Sequence, residues 1–193
     1  MPVNARMNFE LEQWLLAHEP LVRVTAFSAV FGTMALWELA APRRRYVVGR
    51  RRWIANLGVV VLNTVLVRLI FPTAAIGVAA FAATQGWGFF NYYAAPAGVA
   101  VIVSFLVLDL AIYLQHVLVH AVPALWRLHR MHHADLEFDV TTGLRFHPIE
   151  ILLSMLIKFA VIGALGAPAA AVLIFEVLLN ATSMFNHGNV RIP

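Results

Sequence analysis

Five stretches of the chain, residues 21–41, 54–71, 96–115, 149–165 and 168–185, are nearly uninterrupted runs of apolar side chains. A bilayer's hydrocarbon core takes roughly 20 helical residues, and each run is close to that length. No water is available there to pair with the backbone, so continuous apolar runs of this size specify helices. Composition agrees: 61% of residues are hydrophobic and 12% charged, with a mean hydropathy of +0.78. That little charge excludes a water-soluble globule. The expected fold is all-α and integral to the membrane, with four to five apolar helices in a single domain over residues 1–193. Residues 1–20 carry Arg6, Glu10, Glu12, His18 and Glu19, too polar for a signal peptide, and are read as an interfacial lead-in. Residues 21–115 hold the first helices, 116–148 a histidine-rich region and 149–185 a tight hairpin turning at Gly166 and Ala167. The segment 73–95, with Trp87, Phe89, Phe90, Tyr92 and Tyr93, is expected as an outer aromatic belt, or residues 73–83 dip back as a half-helix.

The 14 Lys and Arg against 10 Asp and Glu give a net charge of +4, but the excess is local. Arg43, Arg44, Arg45, Arg50, Arg51 and Arg52 sit together between the first two apolar runs. A basic cluster in that place sets topology and meets lipid headgroups, so a nucleic-acid partner is not expected. Holding this loop in the cytoplasm makes the protein multi-pass, with everything from His116 to Pro148, and later His187, on the cytoplasmic side. The absence of cysteine excludes disulfides, thiolate metal sites and cysteine nucleophiles.

Seven of the eight histidines fall between residues 116 and 187. His116 and His120 are four apart and share a helical face, one turn from each other. His129, His132 and His133 form H-x-x-H-H, which if helical also puts His129 on a face with both others. Core packing gives no reason to place five imidazoles this close, whereas ligation of a metal does. His147 and His187 extend the set, and His18 lies apart from it. Asp109 and Tyr113 continue the stripe of His116 and His120, and a carboxylate inside an apolar run needs a partner. Asp109 is therefore expected to accept from a ligand's distal N–H, or to pair with a polar group of another helix. Arg127, Arg130 and Arg145 are expected to pair with Asp135, Glu137 and Asp139, to orient loops, or to dock an acidic electron donor.

An all-imidazole set suits iron, zinc or copper rather than magnesium or calcium. The Glu-x-x-His repeats of soluble di-iron bundles are missing. Neutral imidazoles at a membrane surface with no nucleophile nearby point to oxygen activation beside a lipid.

Residues 109–189 resemble the fatty acid hydroxylase and sterol desaturase superfamily of membrane di-metal oxygenases. The resemblance rests on His116-x3-His120, on Pro123-x-Leu125-Trp126-Arg127-x-His129-x2-His132-His133, on Thr142-x2-Arg145-x-His147-Pro148-x-Glu150, and on His187-Gly188-Asn189. It implies that His116, His120, His129, His132, His133, His147 and His187 ligate two metal ions, iron in function with zinc possible in preparations, while Asp109, Tyr113 and Asn189 support them. It further implies four transmembrane helices under a cytosolic helical layer, with no catalytic side chain beyond the ligands. The implied chemistry is hydroxylation or desaturation of a lipid, fatty acyl or sterol-like substrate with O2. Electrons come from outside, through a reductase, ferredoxin or cytochrome. The chain departs from the family pattern at Leu114-Gln115-His116-Val117, where an aromatic and an Arg often flank the His. It also ends at Pro193 without the family's last H-x2-H-H box. We read this as truncation, the alternative being a degenerate, non-catalytic scaffold. A histidine-rich transporter is the rival from another class, but its ligands belong near the bilayer midplane in broken helices.

Lys158 and Glu176 lie near the middles of the last two runs, eight residues before and nine after the hairpin turn. Antiparallel packing brings them to similar depth, and a pair is expected there because a lone charge in hydrocarbon costs on the order of 3 kcal/mol.

Overall fold

The computed structural model describes residues 3–48, 51–71 and 73–192, with side chains in the first helix from residue 13 onward except 15 and 16. Arg50, Pro193 and the side chains of Arg6, Glu10 and Glu12, used above, lie outside the described residues. The protein is 78% helical, with no strand among the described residues. Its helices are α1 (Val3–Ala40), α2 (Arg51–Ile70), α3 (Ala75–Gln85), α4 (Phe89–Tyr92), α5 (Ala97–Ala121), α6 (Pro123–His133), α7 (Pro148–Leu165) and α8 (Ala169–His187), with a 3-10 turn at Thr142–Leu144. Five segments are long and apolar enough to cross a membrane: Ala17–Ala40, Arg51–Tyr92, Ala97–Ala121, Pro148–Leu165 and Ala169–His187.

Two boundaries differ from expectation. The lead-in is not a separate element, because α1 runs unbroken through Pro20 and its polar first half continues into the span. The third apolar helix reaches Ala121 rather than residue 115, so His116 and His120 ride on the last turns of a membrane helix. Of the two readings of the segment after α2, the half-helix is the one found for its first part, and the belt for its second. The half-helix is α3, whose Ala75, Ile76, Ala79 and Ala82 are buried and which packs on α7 and α8. Small side chains let it approach that closely. Trp87, Phe89, Tyr92 and Tyr93 stay exposed, as a belt would be.

The main core joins α3 to Leu108 of α5, Ile162 of α7 and Val172 and Phe175 of α8. At the end of the bundle bearing the α7–α8 turn, Gly166 adopts a left-handed conformation that closes α7. Gly88 packs directly on the Gly166 backbone, leaving no room there for a Cβ. The opposite end gathers the C-termini of α1, α5 and α8, the N-termini of α2 and α7, and α6. A short antiparallel bridge between Pro42 and Val190 ties the chain after α8 to the loop after α1.

Lys158 and Glu176 do meet, with Nζ and Oε1 2.5 Å apart. Arg23 of α1 joins them, bonding both Glu176 and Glu19. Two cations and two carboxylates therefore neutralise one another across α1, α7 and α8. The third helix was not foreseen from the sequence.

Candidate metal centre

The centre is built where α5 gives way to α6. Val122 alone separates them, and Pro123 begins α6, its fixed φ suiting the first helical position and its missing N–H costing no bond there. The restriction that proline places on the preceding residue ends α5 at the same point. The chain thus folds back sharply, and α6 packs on α5 with His129 and His132 buried. Arg127 and Arg130, off that face, remain exposed.

His116, His120 and His129 converge, their potential ligand atoms all within 4.8 Å of one another. His133 Nε2 lies 3.2 Å from His129 Nε2. A second approach brings His132 Nε2 to 2.9 Å from His187 Nε2. The His129 and His132 rings, with centroids 5.3 Å apart, connect the two groups. Six of the seven imidazoles in the sequence cluster thus form one contiguous set. His147 is used differently, since its Nδ1 accepts from the Ile149 N–H and caps the start of α7.

The outward-facing nitrogens are anchored. His129 Nδ1 is 2.8 Å from Glu150 Oε1, His132 Nδ1 is 3.2 Å from the Arg145 carbonyl, and His187 Nδ1 is 2.8 Å from the Ser183 carbonyl. A carbonyl only accepts, so in His132 and His187 the proton resides on Nδ1 and Nε2 presents a lone pair. Two lone pairs facing each other at 2.9 Å repel unless a cation or a proton lies between them. Burial, and then the neighbouring His187, push the His132 imidazole down to about 3, which removes the proton as the answer near neutrality. Burial likewise lowers His133. The nitrogen spacings are close to the roughly 3 Å separating neighbouring ligands with metal bonds of about 2.1 Å. Glu150 Oε2 is buried and has no hydrogen-bond partner. These residues fit a transition metal, and the anchored Nδ1 atoms are the usual way a metal-binding imidazole is oriented.

The supporting partners are not those expected. Asp109 and Tyr113 share the α5 stripe but are exposed, and no bond from either to an imidazole occurs among the described residues. Asn189 instead grips Arg44, accepting from its N–H and donating to its carbonyl, each at 2.9 Å. Glu150 and the Ser183 carbonyl do the orienting. The Glu150 role had a signal, three residues after His147 on the start of a helix, but only the fold aims it at His129. His18 lies apart, stacked on Trp14.

The loop between α6 and α7 is pinned through its acidic groups, chiefly by Arg52, a partner not named from the sequence. Arg52 takes Asp135 at 2.7 Å, Glu137 at 3.3 Å and Asp139. Arg127 and Arg130 make no ion pair among the described residues, whereas Arg145 pairs with Asp135, as expected, at the long distance of 4.0 Å. Asn56 bonds Asp135 and Thr141, each at 2.9 Å, and Trp53 bonds Asp139 at 2.6 Å. Burial raises the Asp135 carboxyl, but bonds from Thr142 and Asn56 and the Arg52 charge outweigh it and hold Asp135 below the usual carboxylate range. Buried Glu38 accepts from the Val140 and Asn189 N–H groups, each at 2.7 Å, locking both loops to α1.

Compared with known proteins, residues 101–193 match the model of a family described as fatty acid hydroxylase. No curated protein and no solved structure matches the chain.

Proposed function

We propose that this chain, whose residues 101–193 belong to the fatty acid hydroxylase family, is the metal-binding part of a membrane oxygenase acting on an apolar lipid, fatty acyl or sterol-like substrate. The observation that carries the reading is the set of inward Nε2 atoms with outward Nδ1 atoms anchored, at the end of a bundle of membrane-length helices. His116, His120, His129 and His133 would hold one ion, and His132 and His187 a second; His147 is the nearest further imidazole in sequence. Two iron ions bound there would supply oxygen activation, with O2 as co-substrate and electrons from a reductase, ferredoxin or cytochrome.

The protein's own residues do the rest. Glu150 and the Arg145 and Ser183 carbonyls fix imidazole tautomers, so the ligand lone pairs need no rearrangement to bind. Phe146 stacks on His132 at a centroid distance of 4.5 Å and covers the ring face. His116 and His120 are exposed on the lipid-length helix α5, which lets a membrane-dissolved substrate approach them from the side. Arg43, Arg44, Arg45, Arg51 and Arg52 are at the same end, which supports a cytoplasmic site. The imidazoles gather at helix ends rather than mid-span, contrary to the transporter arrangement.

The test is turnover. The iron-loaded full-length protein in bilayer discs, given a chemical or enzymatic electron source and a panel of long-chain lipids, is expected to form hydroxylated or desaturated product only when O2 is present. Product formed equally without O2, or equally by His129→Ala, overturns the reading.

A further inference from the structure

Among the described residues, one carboxylate in mid-membrane has no partner. Asp109 is the central residue of the 25-residue α5, so about 18 Å of helix separates it from either end. It is exposed on the outer surface of the bundle and makes no hydrogen bond or ion pair among the described residues. The charges inside the neighbouring helices, Arg23, Glu19, Lys158 and Glu176, neutralise one another. A charge turned to hydrocarbon is costly and calls for a partner that covers it. Lipid does not supply one at this depth, because headgroups and lipid hydroxyls lie at the interface of a core about 30 Å thick.

The face around Asp109 is complementary to itself. Ile102, Leu106, Asp109 and Tyr113 follow at intervals of four, three and four residues, which aligns them along α5. Ile102, Leu106 and Tyr113 are all exposed, and Tyr113 makes no hydrogen bond among the described residues. One turn apart, the face thus carries an acceptor, the Asp109 carboxyl, and a donor, the Tyr113 O–H. In a pair related by a twofold axis along the membrane normal, two α5 helices run parallel and bring equal depths together. Each Tyr113 then reaches across one turn to Asp109 of the other copy. A proton held between the two carboxyls removes the repulsion of two bare carboxylates.

The surface beside the stripe has the shape for such a contact. A cleft of about 180 Å³ between α5 and α8 is lined by Val101, Ile102, Phe105, Leu106, Ala171 and Ile174. It is a groove for the side-chain ridge of a facing helix, and close fit is what holds helices together in a membrane. Helices that cross between Leu106 and Asp109 at about 40° diverge toward His116 and His120, which leaves the imidazoles open on that side.

We infer that α5 is the contact of a twofold-symmetric dimer of this chain in the membrane, with Asp109 of each copy hydrogen-bonded by Tyr113 of the other. The inference stands apart from the oxygenase reading.

Self-association in a bilayer tests it. Full-length protein labelled with donor or acceptor fluorophores is reconstituted in phosphatidylcholine vesicles over a wide range of protein-to-lipid ratios. Energy transfer is expected to follow a monomer–dimer equilibrium. Asp109→Leu with Tyr113→Phe should weaken the dimer at least about tenfold, whereas Asp109→Asn, still able to accept and donate across the axis, should lose less. Circular dichroism checks that helical content is kept. The chain has no cysteine, so an introduced one is its only thiol. Leu106→Cys should form an intermolecular disulfide under mild oxidation, and Val61→Cys, on the exposed side of α2, should not. If the double variant loses helicity, this pair of cysteine variants decides alone. A parent that stays monomeric at every ratio, a dimer unchanged in the helical double variant, or Val61→Cys crosslinking as readily as Leu106→Cys, overturns the inference. So does a monomeric parent that binds a polyleucine transmembrane peptide with a central Arg through Asp109, which would assign the face to a cation-bearing helix of another protein.

Discussion

Two polar clusters interrupt this apolar bundle, and they are satisfied in opposite ways. In the first, Arg23, Glu19, Lys158 and Glu176 join α1, α7 and α8, and its charges sum to zero within the chain. In the second, the imidazoles of α5, α6 and α8 turn lone pairs toward each other, and at the His132–His187 approach no donor serves both. Burial of polar groups is tolerated only when they are paired. A cluster complete by itself holds helices together, whereas a cluster whose incompleteness is built in by anchored tautomers is arranged for something added. Polarity in a membrane helix is therefore not in itself a sign of chemistry. The balance of donors, acceptors and charges distinguishes the two uses.

The largest expected effect separates the clusters by activity. His116→Ala, His129→Ala or His133→Ala should each lower turnover to background, because each removes a nitrogen from one coordination sphere. His18→Ala, outside both clusters, should leave turnover within about twofold of the parent, as surface substitutions usually do. Turnover assays of the purified, metal-loaded variants decide it, and retained activity in any of the three takes that residue out of the centre.

The next effect tests whether the first cluster is self-contained. Lys158→Met or Glu176→Gln should each destabilise by about 3–5 kcal/mol, since each leaves an uncompensated buried charge. Lys158→Met with Glu176→Leu should recover most of the loss, because Arg23 and Glu19 still balance. Thermal unfolding of the detergent-solubilised variants measures it. Additive losses in the double variant would mean that the four groups do not act as one neutral set. Metal content should be unaltered throughout, as this cluster lies away from the imidazoles.

A smaller effect concerns how the second cluster is held open. Glu150→Ala should weaken metal affinity about 10- to 100-fold, while Glu150→Gln, able to accept from His129 through its amide oxygen, should lose less. Competition with a chromophoric chelator reads both. Equal losses would show that the carboxylate charge, rather than orientation of His129, is what matters.

Least in size is the pH response of the loop under the centre. The Asp135 carboxyl sits below its ordinary value of 3.8 in the folded protein, so its contribution is fully present above that value. As pH falls through the lowered folded value the proton returns and the contribution is lost. Asp135→Asn should therefore flatten the acid limb of the stability curve, and an unchanged limb would remove Asp135 from the loop's support.

Hydropathy made the spans, the hairpin and the Lys158–Glu176 depth legible, because each depends only on length and rise along one helix. Histidine spacing likewise disclosed the 116/120 and 129/132/133 groups. What stayed hidden depends on contacts between distant segments. Arg52 reaches Asp135 across 83 residues of chain, and no local pattern prefers it to Arg127 or Arg130. The same holds for Arg23 on Glu176, and for Glu150 on His129 in place of Asp109. The half-helix α3 was ambiguous because its Ala-rich apolar composition suits both an interfacial stretch and a buried helix. His147 matched the histidine pattern but serves as a helix cap, a role that its place before Pro148 permits equally well.

The most direct measurement of the central claim is elemental analysis of transition metal per chain, on the purified protein and on His129→Ala with its helical content verified by circular dichroism. The parent is expected to hold metal tightly, through dialysis against a mild chelator, and His129→Ala to lose it with helicity unchanged. Parent protein that holds no transition metal after reconstitution with iron or zinc, or a His129→Ala variant that holds as much as the parent, would contradict it.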